Sequence, residues 1–167
     1  KLVASEWMLQ SLQMTSIARR SINANKHVLI CGYGRCGQNL ARMLQQEHIP
    51  SIALDLDPDR VRQAQAAGEE VVFGDAARAQ ALVAAGLARA SAVVVTYIDV
   101  PGALRVLAIV RERAPNVPVI VRTQDDRDLD KLQAAGATEV VPELLEGSLM
   151  LASHALALVG VPMRRVI

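Results

Sequence analysis

The stretch "HVLICGYGRCGQNLARML", His27 to Leu44, runs from an apolar segment into an amphipathic one across three glycines, Gly32, Gly34 and Gly37. This G-x-G-x-x-G spacing reads as a strand that turns sharply into a helix. Gly32 permits the tight turn. Gly34 lets a pyrophosphate approach the backbone, and Gly37 lets the helix lie close to the strand. The helix N-terminus then offers unpaired N–H groups and a partial positive charge to phosphate. Tyr33, Arg35 and Cys36 lie within the same turn. The motif alone is a weak signal. Here it follows an apolar run, opens a helical pattern and is followed by an acidic residue at about the 20-residue spacing that dinucleotide sites use.

The rest of the chain repeats the same beat. Apolar runs "SIALDLD", "EVVFGD", "AVVVTY", "PVIVRTQ" and "TEVVPE" alternate with helical stretches "DRVRQAQAAG", "AQALVAAGLARA", "GALRVLAIVRERA", "DLDKLQAAGA" and "EGSLMLASHALALVG". Gly68, Gly86, Gly136 and Gly160 fall at or near expected helix ends. Trp7, Tyr33, Phe73 and Tyr97 are the only Trp, Tyr or Phe residues, although 51% of the chain is apolar. The core must therefore be built from Ala, Val, Leu and Ile, as in layered α/β folds. The pattern predicts a Rossmann-like, doubly wound, six-stranded parallel sheet of order 3-2-1-4-5-6. Unbroken apolar strands predict cover on both faces. Residues 27–160 form that domain, 1–26 an N-terminal amphipathic helix and linker, and 161–167 a tail. The chain opens on Lys1 and is read as a piece of a longer protein.

Ligands of such sheets sit beyond the strand C-termini. "LDLD" ends the second strand with Asp55, beside Leu56 and Asp57. A carboxylate at Asp55 can accept both ribose hydroxyls and repels a 2′-phosphate, which favours NAD(H) or an adenosine nucleotide over NADP(H). Asp57 either approaches the adenosine or caps the next helix, where Arg60 follows. Gly74, Asp75 and Ala76 end the third strand, and Asp75 can bond the adenine amino group or cap a helix. Thr96 and Asp99 follow the fourth strand on the same edge.

Groups for chemistry are scarce. Tyr97 has no lysine four residues on, and the lysines are Lys1, Lys26 and Lys131. His27 and His48 fall away from the strand C-termini, and His154 lies in the last helix. We expect no catalytic residues and no metal site; the rival reading is an NAD-dependent oxidoreductase. A net charge of +1 does not favour nucleic acid. Cys31 and Cys36 are read as small packing side chains. No stretch approaches the roughly 18 consecutive apolar residues of a membrane span.

The segments "GYGRCGQ", "LDLDPDRV", "FGDA", "VIVRTQD" and "ATEVVPE" in combination resemble the RCK (regulator of K+ conductance) domain, also called TrkA-N, and in particular the cytoplasmic C-terminal domain of Kef-type potassium/proton antiporters. The resemblance covers roughly residues 26–160. It implies a homodimeric domain that binds NAD(H), AMP or ATP, does no chemistry and gates a transmembrane antiporter domain of the same or an associated chain. A TrkA-like peripheral subunit of a potassium uptake system is the alternative. It also implies the cytoplasmic face of the bacterial inner membrane and a small-molecule effector near Arg35. By the family motif, Gly32, Gly34, Arg35 and Gly37 meet the phosphates, Asp55 the ribose and Asp75 the adenine. Arg122 and Glu143 match family positions near the ligand. The last helix is more apolar than one side of a monomer requires and is expected to form the dimer seam.

Overall fold

A computed structural model describes residues 2–161, with side chains from Met8 onward; Lys1 and residues 162–167 of the expected tail lie outside the described residues. The chain forms α1 (Leu2–Ser21), β1 (Val28–Cys31), α2 (Arg35–Gln46), β2 (Ser51–Asp55), α3 (Pro58–Ala66), β3 (Val71–Phe73) and α4 (Ala79–Ala84). After a 3₁₀ turn (Leu87–Arg89) come β4 (Ala92–Val95), α5 (Val100–Arg113), β5 (Val119–Thr123), α6 (Leu129–Ala134), β6 (Glu139–Pro142) and α7 (Glu143–Leu158). The strands make one parallel sheet of order β3-β2-β1-β4-β5-β6, as the alternating pattern predicts. No helix among the described residues is long and apolar enough to cross a membrane.

Strand side chains alternate between the two faces. Leu29 and Cys31 of β1, Val93 and Val95 of β4, and Val119 and Val121 of β5 share one core with α1, α4, α5 and α6. Val28 and Ile30 point the other way and pack with Val61, Ala64 and Leu44 of α2 and α3. Here the expectation of full cover is corrected. α2 and α3 lie over β1–β3, so the outward residues of β4 and β5, Ala92, Val94, Ile120 and Arg122, are only half-buried. Right-handed crossovers put the two halves of the helix set on opposite faces. Half of the second face therefore stays open, with α7 beginning at its edge beside β6.

The expected helix "AQALVAAGLARA" is broken. Gly86 takes a left-handed conformation (φ 84°) and the chain continues as a 3₁₀ turn. A Cβ there would lie 2.8 Å from Arg89 Nη2 and 3.0 Å from His27 Cε1, so packing leaves room for glycine only.

α1 lies within the 1–26 segment, and its second half packs on the domain. Ile17 is fully buried in the larger core. Arg89 holds the exit of α1: its Nε donates to Ala24 O at 2.9 Å and its Nη2 to Ser21 O at 3.2 Å. His27 is buried beside this clamp. Its Nε2 donates to Ala85 O at 2.9 Å, and its Nδ1 has no partner among the described residues. Burial, and secondarily the Arg89 charge, lowers its pKa, while the Ala85 bond opposes the shift. The unfolded chain therefore binds a proton near pH 6.5 that the folded chain refuses, and stability is lost as pH falls below that value. Melting between pH 7.5 and 5.5 should show a decline of at most about 1.4 kcal/mol per pH unit from this group. His27→Gln should flatten the decline; an unchanged slope would assign it to other residues.

Candidate functional site

A cavity of about 720 Å³ opens where β1, β2 and β4 end. Its floor is the glycine turn. Gly32 (φ 101°) donates its N–H to Leu54 O at 2.8 Å, and its carbonyl accepts from Thr96 Oγ1 at 2.7 Å. Thr96, at the end of β4, thereby fixes the turn against the sheet. Gly34 is the N-cap of α2 and carries no side chain, so the first-turn amides have no side-chain acceptor. A Cβ on Gly34 would meet nothing within 4 Å, because that side of the loop is open. A Cβ on Gly37 would lie 2.1 Å from Gly32 O. The glycines thus divide their work: Gly37 seats the helix on the turn, and Gly34 leaves space above it.

Asp55 ends β2 with a buried carboxylate. Oδ2 accepts from Tyr33 N at 2.7 Å and Oδ1 from Asp57 N at 2.8 Å. Arg60, from α3, lies 3.2 Å away on the cavity side. Asp55 is therefore a brace for the glycine turn as well as a cavity residue.

Most of the residues singled out from the sequence meet here. Gly32, Gly34, Arg35, Cys36, Asp55, Leu56 and Arg60 line the cavity with Gly74, Asp75, Ala76, Thr96, Asp99, Arg122 and Glu143. Three others stand behind the wall. Gly37 is buried under the turn. The Tyr33 ring turns into the α2–α3 core, where its hydroxyl donates to Glu69 at 2.7 Å. Asp57 caps α3, accepting from Asp59 N and Arg60 N, so of its two readings the structure displays the cap. Asp75 combines a turn with its cavity position, accepting from Ala77 N at 2.9 Å.

Sequence reasoning missed Arg105, Gly102 and the binding-wall role of Tyr97. Arg105 rises from within α5, and a search of strand ends does not reach it. Gly102 was a usable signal, since a Cβ there would lie 2.5 Å from Asp99 Oδ2. Burial, reinforced by Cys31, Asp75 and Asp99, raises the Tyr97 pKa, so its phenol keeps its proton. Burial pushes the Cys31 thiol up to about 12, which leaves it protonated and unreactive near neutrality. Cys36, at the cavity, is half-buried. No group of three or more His, Cys, Asp or Glu among the described residues is arranged to hold a metal ion.

Beside Thr96, Arg122 donates from Nη1 to Thr96 O at 3.1 Å and from Nη2 to Glu143 Oε1 at 2.9 Å. Arg35, Arg60, Arg105 and Arg122 thus share the wall with four carboxylates. The arrangement can hold a phosphate at the α2 N-terminus and a sugar diol at Asp55.

A glycine turn beneath a helix N-terminus, with an acidic strand end beside it, defines a Rossmann-type domain of the nucleotide-binding class. More narrowly, the chain belongs to the TrkA-N domain family, whose profile matches residues 28–143. It is 45% identical over 141 residues to a chain of Alkalimonas amylolytica named "Putative K(+) efflux antiporter KefB", covering 84% of this chain and 21% of that one. It is 39% identical over 165 residues to the chloroplastic K(+) efflux antiporter 2 of Arabidopsis thaliana, covering 97% of this chain and 14% of that one. The chain therefore spans about a fifth or less of these relatives. The Kef CTD of Shewanella denitrificans, solved in an AMP-bound form, superposes with a TM-score of 0.69 at 28% identity, over 84% of this chain and 85% of that one.

Proposed function

We propose that this chain is the nucleotide-binding regulatory domain of a Kef-type potassium efflux antiporter, acting on the cytoplasmic face of a bacterial inner membrane. The observation that carries the reading is the open α2 N-terminus above Gly34 with the Asp55 carboxylate beside it. The phosphates sit on the first turn of α2, the ribose takes the Asp55 lone pairs that Arg60 now faces, and the adenine lies toward Gly74 and Asp75. NAD(H), AMP and ATP all carry these groups. The AMP-bound Kef relative supports an adenosine nucleotide.

The domain works as a homodimer. Leu145, Met150 and Leu151 on α7 are more than half exposed, with Leu149 close to half, an apolar surface that a second copy would cover. Nucleotide then controls transport by favouring one dimer geometry over another, in proportion to its differential affinity.

Gly34→Ala tests the site without disturbing the fold. Its φ of −70° and ψ of −164° suit alanine, and nothing lies within 4 Å of the new methyl. The ligand-free melting temperature should stay within about 1 °C of wild type, because surface changes of this kind cost little. The methyl occupies the space of the phosphates, so stabilisation by AMP, ADP or NADH should disappear. Stabilisation equal to wild type would remove the nucleotide from this turn.

A further inference from the structure

Arg122 and Glu143 hold the cavity and α7 together, and they are unequal partners. The Arg122 side chain is 22% exposed, while that of Glu143 is 47% exposed. Arg122 is fixed on β5 and anchored to Thr96 O, whereas Glu143 is the first residue of α7. Arg122 Nε is buried and has no acceptor among the described residues. The next amide of α7, Leu144 N, donates to Gln124 O at 3.1 Å. These two contacts tie the foot of α7 to the end of β5.

We propose that an anionic group of a ligand in the cavity competes with Glu143 for Arg122, so that occupancy of the cavity loosens the first turns of α7. The inference rests on the nucleotide reading above. A guanidinium presents a planar fork of donors, which a phosphate satisfies with more oxygens and more charge than one carboxylate can. Arg122 lines the cavity, and the Nη2 that Glu143 holds is the donor such a group would take. Glu143, half-exposed at a helix N-terminus, moves into water at little cost, because a carboxylate is favoured there with or without a partner. Loss of the pair leaves Leu144 N–Gln124 O as the hydrogen bond that still joins the foot of α7 to β5 among the described residues. α7 carries the apolar surface that the domain leaves uncovered, so a change at its foot reaches the part of the molecule that another chain would touch. The coupling is reciprocal: whatever ligand does to the pair, the pair does to ligand affinity.

The test uses ADP as the probe with wild type, Glu143→Gln, Arg122→Gln and the double variant. A half-exposed ion pair predicts that Glu143→Gln binds ADP about two- to fivefold tighter than wild type. In the Arg122→Gln background the same change should have no effect, because the competitor has lost its object. Hydrogen exchange at the amides of residues 144–151 should rise when ADP binds wild type. In Glu143→Gln it should already be raised and respond little. Glu143→Gln alters one half-exposed side chain and keeps its shape, so the exchange result stands even where Arg122→Gln folds poorly. Equal affinity gains in both backgrounds would mean only a weakened negative field near an anion, and would overturn the proposal. So would ADP binding without any change in α7 exchange. If ADP fails to bind wild type at all, the nucleotide reading falls first, and this inference with it.

Discussion

Asp55→Ala should lower the melting temperature of the ligand-free domain and abolish its response to nucleotide. Both effects follow from one buried carboxylate. Without it, the Tyr33 and Asp57 amides lose their acceptors at 2.7 Å and 2.8 Å. An unsatisfied buried donor costs about 1–3 kcal/mol, so the glycine turn loosens before any ligand is added. In wild type, a nucleotide at about 100 times its dissociation constant should add roughly 2.7 kcal/mol. For a chain of this size that is about 5–10 °C. The variant should show none of that gain with NADH, AMP or ATP. NADPH should stabilise wild type less than NADH, because a 2′-phosphate would face the carboxylate. Scanning calorimetry of both proteins, with and without ligand, reads the two effects separately. A variant that melts lower yet keeps the full ligand shift would leave Asp55 a brace for the turn, with the ribose bound elsewhere.

Gly37→Ala should unfold the domain far more readily than Gly34→Ala, although the two lie three residues apart in one motif. The new Cβ would sit 2.1 Å from Gly32 O and 3.1 Å from Gly32 C, both backbone atoms. Neither can retreat easily. The Gly32 carbonyl is held by Thr96 Oγ1 at 2.7 Å, and β1 is paired on both sides, with β2 and with β4. α2 must instead lift from the sheet, exposing Ile30 and Leu44 of the smaller core. Overpacking of this kind costs about 3 kcal/mol or more, a fall of roughly 6–12 °C in melting temperature. Urea unfolding of the two glycine variants and wild type checks it directly. Equal midpoints for Gly37→Ala and wild type would mean that the helix can ride up on the turn at no cost.

The parts of this domain legible in the sequence are those whose causes are local. The alternation of β-branched runs with Ala- and Leu-rich stretches marks the strands and helices because side-chain period and propensity act over a few residues. The glycine turn is legible because the left-handed φ at Gly32 and the close approach at Gly37 each demand glycine at a fixed spacing. Asp55 was placed by its distance from that turn. Parallel order followed because right-handed crossovers leave few ways to wind such a pattern.

Other features depend on residues far apart in the chain. The pairing of Arg122 with Glu143, the reach of Arg105 into the cavity and the braces on Asp55 arise where separate elements converge, and no short-range pattern encodes them. Asp57 could cap or bind on sequence grounds, and in the fold it caps α3. Gly86 ends its helix in a left-handed turn that the sequence signals, but the crowding of Arg89 and His27 against it is visible only in the fold. The open half of the sheet is the clearest case. Apolar strands state that a face can be buried, but which helices cover it is set by the handedness of every connection taken together. The period of a sequence specifies which side chains share a face, and the assembled sheet determines what, if anything, lies against them.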